Sequence, residues 1–230
     1  MVALTEIPFT LDIRQLSARM RIQNGSDRAR EFVRLVDIVQ ETGKPKALYR
    51  ESYIDARDDD SVTIEGIHFN SRALSKNVES VERVFPNIVT CGIELDAIEI
   101  EQGDLQKKSW LSMLKGSLLM IAMQYLQEYI LKKYKIKKLA YMNPGSGDAT
   151  VWPIEQQKDL FSLFDNVEGA IGVKLTRSFI MVPDMSVCGI LIPSEVDFQS
   201  CQLCHRGKCQ LRRAPFDKKL WDSINNTEIS

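Results

Sequence analysis

YMNPGSGDATVWPIEQQKDLFSLFDNVEGAIGVKLTRSFIMVPDMSVCGILI, residues 141–192, packs strand, loop, helix and strand signals into one segment. Its first two residues close an apolar run, Lys138 to Met142, that reads as a strand. Asn143-Pro144-Gly145-Ser146-Gly147-Asp148 is a turn-forming loop whose glycines let a flat ligand approach the main chain. A helix is predicted near Ile154 to Phe164, then two strands, Phe179 to Val182 and Val187 to Ile192. Strands that follow one another without a helix between them point away from a doubly wound parallel sheet.

The same reading extends upstream. Leu111, Leu114, Leu118, Ile121, Ala122, Tyr125 and Tyr129 recur at helical steps, predicting the longest, central helix from Ser109 to about Tyr134. Gly116-Ser117 within it costs about 1 kcal/mol of propensity, which fits the close approach of a strand, a ligand or a crossing helix. Ser26-Asp27 opens a helix to Thr42, and Gly43 with Lys44-Pro45 closes it. Ala47 to Ile54, Val62 to Phe69 and Asn87 to Leu95 are strand candidates, with Asp58-Asp59-Asp60 as a solvated turn between the first two. The fold class is α+β: an antiparallel or mixed twisted sheet packed by helices over residues 1–199, with a small cysteine-bearing lobe at 200–230.

With 30 basic and 31 acidic residues spread along the chain, no global field favours nucleic acid or an anionic membrane as partner. Met1 to Thr10 has no basic stretch followed by an apolar core, and Leu118 to Met123 is far short of the roughly 20 residues of a membrane helix. A soluble cytoplasmic protein is expected. Only two histidines occur, His68 and His205, and Gly145-Ser146-Gly147 lacks a nucleophile elbow, which argues against a serine hydrolase. The same loop has neither a Walker lysine nor a dinucleotide fingerprint.

Asn143-Pro144-Gly145, Trp152-Pro153, Ile171-Gly172-Val173-Lys174-Leu175-Thr176 and Ser178-Phe179-x-Met181-x-Pro183-x-x-Ser186-Val187-x-Gly189 form an ordered series. In that order and spacing the series resembles the activation domain of cobalamin-dependent methionine synthase, in its stand-alone form. The resemblance implies a protein that holds S-adenosylmethionine against the cobalt of a corrinoid-binding methyltransferase or of methionine synthase modules. Cobalamin oxidised to Co(II) is there reduced and remethylated together. Carried over by position, Pro144 and Gly145 border the adenosylmethionine site, while Ser186, Val187 and Gly189 face the cofactors. This chain departs from the family at three places. Tyr141 stands where an arginine usually pairs with the ligand carboxylate, Ser146 where a tyrosine follows Pro-Gly, and Arg177 where glutamate is frequent. Weak adenosylmethionine binding is the expectation, with Arg177 as the candidate replacement for the missing cation.

Cys201, Cys204 and Cys209 fall within nine residues, a feature that the methionine synthase domain lacks. Three thiolates so close suit zinc or an iron-sulfur cluster, with Cys188 or His205 as a fourth ligand. Reduction of Co(II) calls for a strong reductant, which favours the cluster and an electron donor protein as a further partner; zinc is redox-silent and would order the lobe.

Overall fold

The computed structural model describes residues 1–23, 25–146, 151–195, 198–208 and 214–225. The chain opens with β1 (Val2–Leu4), α1 (Ile13–Arg19) and α2 (Asp27–Thr42). Ser26 starts α2 as the sequence predicts, its hydroxyl accepting from the Ala29 amide, and Phe32, Leu35, Val36 and Val39 form the buried stripe. Next come β2 (Lys46–Tyr49), β3 (Ser52–Arg57), β4 (Ser61–Ile64), β5 (Ile67–Asn70), α3 (Arg72–Asn77) and β6 (Arg83–Thr90). The long α4 (Leu105–Tyr134) leads to β7 (Leu139–Met142), α5 (Gln157–Ser162) and α6 (Val167–Ile171). A small hairpin of β8 (Lys174–Leu175) and β9 (Met181–Val182) precedes β10 (Ser186–Pro193), and α7 (Lys218–Asn225) follows it.

β6 is the axis of the sheet. Along one edge it pairs with β2, from Lys46↔Thr90 to Tyr49↔Asn87, and then with β3 at Ser52↔Val84. Along the other edge it pairs with β10, from Ser186↔Thr90 to Leu191↔Phe85, and β10 carries β7 on its far side. β1 extends β2, while β4 and β5 continue outward from β3. All these ladders are antiparallel, which resolves the sequence alternative of antiparallel or mixed; one isolated parallel bridge joins Tyr141 to Gln199.

The strand expected from Phe179 to Val182 begins only at Met181, because Phe179 stands in the preceding turn at φ +59°, and three others also end elsewhere, each for a physical reason. The stretch from Ala47 to Ile54 is two strands, broken at Arg50-Glu51 opposite Pro86. The Arg50 amide donates to the Pro86 carbonyl at 3.0 Å, so the edge that proline leaves without an N–H faces the bend. The stretch from Val62 to Phe69 is a hairpin turning at Glu65-Gly66, where φ is +51° and +77°, the signature of a type I′ turn. The strand placed at Asn87 to Leu95 starts earlier, at Arg83, and stops before Gly92. Gly92 has φ +99° and its hydrogen faces the Lys44 carbonyl, where a Cβ would lie 2.4 Å away.

Helices cover both faces of the sheet, so the central strands are buried on both sides and read as nearly continuous apolar runs. On one face Ala47, Tyr49, Phe85, Val89 and Leu191 meet Ala122, Met123, Leu126 and Ile130 of α4. On the other, Leu48, Val84, Ile88, Cys188, Ile190 and Ile192 meet residues of α3, α5 and α6, with Leu203 and Ile224 in the same buried cluster. The N-terminal half of α4 leaves the sheet and buries Trp110, Leu111, Leu114 and Leu118 against α1 and α2. Gly116 touches only Met185, whose sulfur would lie 4.0 Å from an added Cβ, so an alanine fits there and tight packing does not require the glycine. Among the described residues no helix is long and apolar enough to cross a membrane.

Candidate functional site

The predicted loop leaves the end of β7 and is fastened at several points. The Gly145 amide donates to the Trp152 carbonyl at 2.9 Å and the Ser71 hydroxyl donates to the Val151 carbonyl at 2.7 Å. Trp152 is buried, lies edge-on to Phe69 at 6.0 Å, and donates its indole N–H to Gln156 Oε1 at 2.8 Å; the same oxygen accepts from the Asn70 amide. Pro144 is buried and Ser146 half-buried. Gly145 adopts φ +76°, as the Pro-Gly sequence anticipates, but Ile154 lies 2.8 Å from where its Cβ would stand. The side of the glycine on which a Cβ would stand is therefore covered by an aliphatic side chain, while Gly145 itself is exposed. Gly147 and Asp148 lie outside the described residues.

Gly189 sits at the centre of β10, opposite Asn87 of β6. An added Cβ would meet the Met142 carbonyl oxygen at 2.4 Å and the Tyr141 ring at 2.6 Å. Tyr141 thus lies across Gly189 on the α4 side, in the space that a larger residue at 189 would claim. Asn87, fully buried in the same row, donates Nδ2–H to the Phe85 carbonyl at 3.0 Å, while its Oδ1 has no hydrogen-bond partner among the described residues. Sequence reasoning passed over Asn87; the signal was one amide inside an otherwise apolar strand. Ser186 is held through its hydroxyl, which donates to the Pro183 carbonyl at 2.8 Å and accepts from the Thr90 hydroxyl at 2.9 Å, and Val187 packs on the α4 side.

The structure brings Tyr141, Pro144, Gly145, Ser186, Val187 and Gly189 onto the adjoining strands β7 and β10 and the loop between them and α5. Arg177 is not part of that group. It is exposed in the turn between β8 and β9, a turn closed by Phe179 at φ +59°, and makes no ion pair among the described residues. Beside it Ile180 and Val182 are exposed. Lys115, only 12% exposed, donates to Asp96 at 2.5 Å and lies 4.0 Å from Asp184, tying the segment before β10 to α4.

The cysteines divide into two groups. Cys91 and Cys188 are buried in the cores on either side of the sheet, and burial pushes both thiols up to about 12 from an ordinary 9.0. They should resist alkylation of the native protein near pH 8, and mass mapping after a short iodoacetamide pulse checks this. Because each folded value exceeds the unfolded one, both groups contribute stability that is present below about pH 9 and is lost as pH rises towards 12. Cys201 is half-buried and Cys204 buried, on a 3-10 turn at Ser200–Leu203. Cys204 lines a cavity of about 280 Å³ with His205, Arg206, Gly207, Pro215 and Phe216. The His205 ring lies 4.4 Å from Phe216 and 4.3 Å from Trp221. Among the described residues no three of His, Cys, Asp and Glu gather as a metal-binding group, and Cys209 lies outside those residues.

No protein-family model matches the sequence, and no curated protein matches it either. Among solved structures the chain is similar to a crystal structure of the MetH reactivation domain bound to AdoHcy. The identity is 20%, the TM-score 0.56, and the match covers 78% of this chain and 71% of that one. At that distance in sequence the likeness is one of fold, and it establishes that this chain has the helix-packed, curled antiparallel architecture of that reactivation domain.

Proposed function

We propose that this protein reactivates a corrinoid-dependent methyltransferase such as methionine synthase. The observation that carries the reading is a coincidence of position. The motif series that resembles the activation domain falls on the Pro-Gly loop after β7, on the segment from the end of α6 through β9 and on β10, in a chain whose fold is that of a reactivation domain. The partner is a corrinoid-binding module whose cobalt has lapsed to Co(II), and the task is its reduction, with or without methyl transfer from adenosylmethionine. The site has two parts: the β7–β10 strands with their loop for a ligand of the adenosylmethionine class, and Cys201, Cys204 and Cys209, with Cys188 or His205, for a metal.

The filled space at Gly189 favours the reductive half of this task over the methyl-donor half. Tyr141 cannot supply the charge that an arginine brings to a carboxylate, and its ring already occupies the floor beside Gly189. For the metal, the two described thiols share one turn, Cys204 beside a cavity that Arg206 also lines, and with Cys209 they would make a thiolate donor set. A bound cluster would supply electrons at low potential; zinc in the same place would make the protein an adaptor that only docks the corrinoid module.

Calorimetry with adenosylmethionine tests the ligand reading. Charge-assisted hydrogen bonds contribute about 1.5–3 kcal/mol each, so wild type is expected to bind roughly tenfold or more weakly than Tyr141→Arg. Tight wild-type binding that Arg177→Ala abolishes would instead assign the carboxylate to Arg177. Ultraviolet-visible spectra of anaerobically purified protein separate the two metals: absorbance bleached by dithionite indicates a cluster, a colourless zinc protein the adaptor. If the protein neither binds adenosylmethionine nor retains a corrinoid methyltransferase in a pull-down, the functional reading falls and the fold alone stands.

A further inference from the structure

Cys201 and Cys204 are placed by the backbone as well as by the sequence. The Cys204 amide donates to the Cys201 carbonyl at 3.2 Å, closing an i to i+3 turn, and such turns hold their end Cα atoms within about 7 Å. Disulfides join Cα atoms about 4.4–6.8 Å apart, a range that such a turn reaches. The turn is braced on both sides. The Gln199 amide donates to Gln202 Oε1 at 2.8 Å, and the Asp217 amide, at the start of α7, donates to the Gln202 carbonyl at 2.9 Å. Accessibility differs between the partners: Cys201 is half-buried, while Cys204 is buried but lines the cavity shared with Arg206 and Phe216. Arg206, exposed, lines the same cavity, and its positive charge suits a small anionic disulfide.

We propose that Cys201 and Cys204 form a thiol–disulfide exchange site for a small anionic disulfide of the glutathione class. The sulfur of Cys201, the more accessible of the two, attacks one sulfur of the incoming disulfide. Its S–S bond breaks, one thiolate leaves, and a mixed disulfide remains on Cys201. Cys204 then attacks the Cys201 sulfur, the intramolecular bond forms, and the second thiolate leaves. Two protein thiols are oxidised, one small disulfide is reduced to two thiols, and the two protein protons pass to the leaving thiolates. The closed ring spans so few residues that it adds little loop-closure stabilisation, which keeps the bond reversible. Metal ligation and this chemistry belong to alternative states of the protein, because a metal-bound thiolate does not attack a disulfide, so the exchange is a reaction of the metal-free chain.

The test uses the full chain, reduced, stripped with a chelator, incubated with glutathione disulfide, and alkylated after denaturation. The expected product weighs two hydrogens less than the reduced chain before alkylation, carries two alkyl groups fewer than the reduced chain after it, and fragments to a Cys201–Cys204 link. Cys201→Ser is expected to form no such bond. Cys204→Ala is expected to accumulate a glutathione adduct on Cys201, since the resolving thiol is gone. The half-buried position of Cys201 makes its serine variant safe for folding, so it decides the matter even where the variant at the buried Cys204 is unstable. A bond to Cys209 or Cys188 instead, an adduct first on another cysteine, or no loss of thiols overturns the proposal. Elemental analysis of untreated protein reports on the metal reading separately, so the failure of one is not the failure of the other.

Discussion

Gly189→Ala is expected to destabilise the protein by about 3 kcal/mol, at the upper end for a single added methyl in a packed core. The new Cβ would stand 2.4 Å from the Met142 carbonyl oxygen, an atom held by the β7–β10 ladder at Ile190↔Met142. A backbone oxygen cannot step aside as a side chain can. The Tyr141 ring, also 2.6 Å from the Cβ, can. Tyr141→Ala combined with Gly189→Ala is therefore expected to recover only part of the loss. Gly207→Ala, where an added Cβ meets nothing within 4 Å, is the control and should stay within about 0.5 kcal/mol of wild type. Urea unfolding of the four proteins checks this; a wild-type midpoint for Gly189→Ala would show that the strands separate more easily than their packing indicates. The result also bears on function, because lost ligand binding in a Gly189 variant means nothing until its stability is known.

The second large effect is at Trp152. Replacement by alanine removes a fully buried indole from against Phe69 and is expected to cost about 3–5 kcal/mol. It also releases the indole hydrogen bond to Gln156, whose oxygen then keeps only the Asn70 amide. Trp152→Phe keeps an aromatic ring in the site, though not the full indole volume, and removes the donor, so it should cost less, about 1–3 kcal/mol. Thermal unfolding of both variants is the measurement. Equal losses would mean that the hydrogen bond, rather than the packed ring, fixes the loop that begins at Pro144.

Local signals gave what local chemistry decides. The Ser26 cap, the stripe on α2 and the spacing on α4 act within a turn or two, so those helices stand where they were expected. The bend at Arg50-Glu51 was invisible because Pro86, distant in sequence, causes it. The turn at Glu65-Gly66 was missed because a glutamate at positive φ announces nothing. Within the candidate site, the order of motifs grouped Pro144-Gly145 with Ser186 to Gly189, and the structure has the first pair in the loop that leaves β7 and the others on β10, the strand paired with β7. That Tyr141 would lie across Gly189 follows from the β7–β10 register, which no local pattern encodes. Arg177 was grouped with them by charge alone, and the hairpin carries it to the surface.

The position of β6 sets a timetable for synthesis of the chain. Seven of its eight residues are buried, and the strand that covers its second edge arrives late: Ser186, bonded to Thr90, is 96 residues further on. At ribosomal speeds of about 5–20 residues per second, that separation is roughly 5–20 s of elongation. α4 emerges in the interval and can shelter one face, but not the row of N–H and C=O groups along the open edge. A nascent chain paused in that window presents an eight-residue, largely apolar strand ready to pair with a neighbour's, so its yield in the cell should depend on whatever occupies that edge until β10 is made.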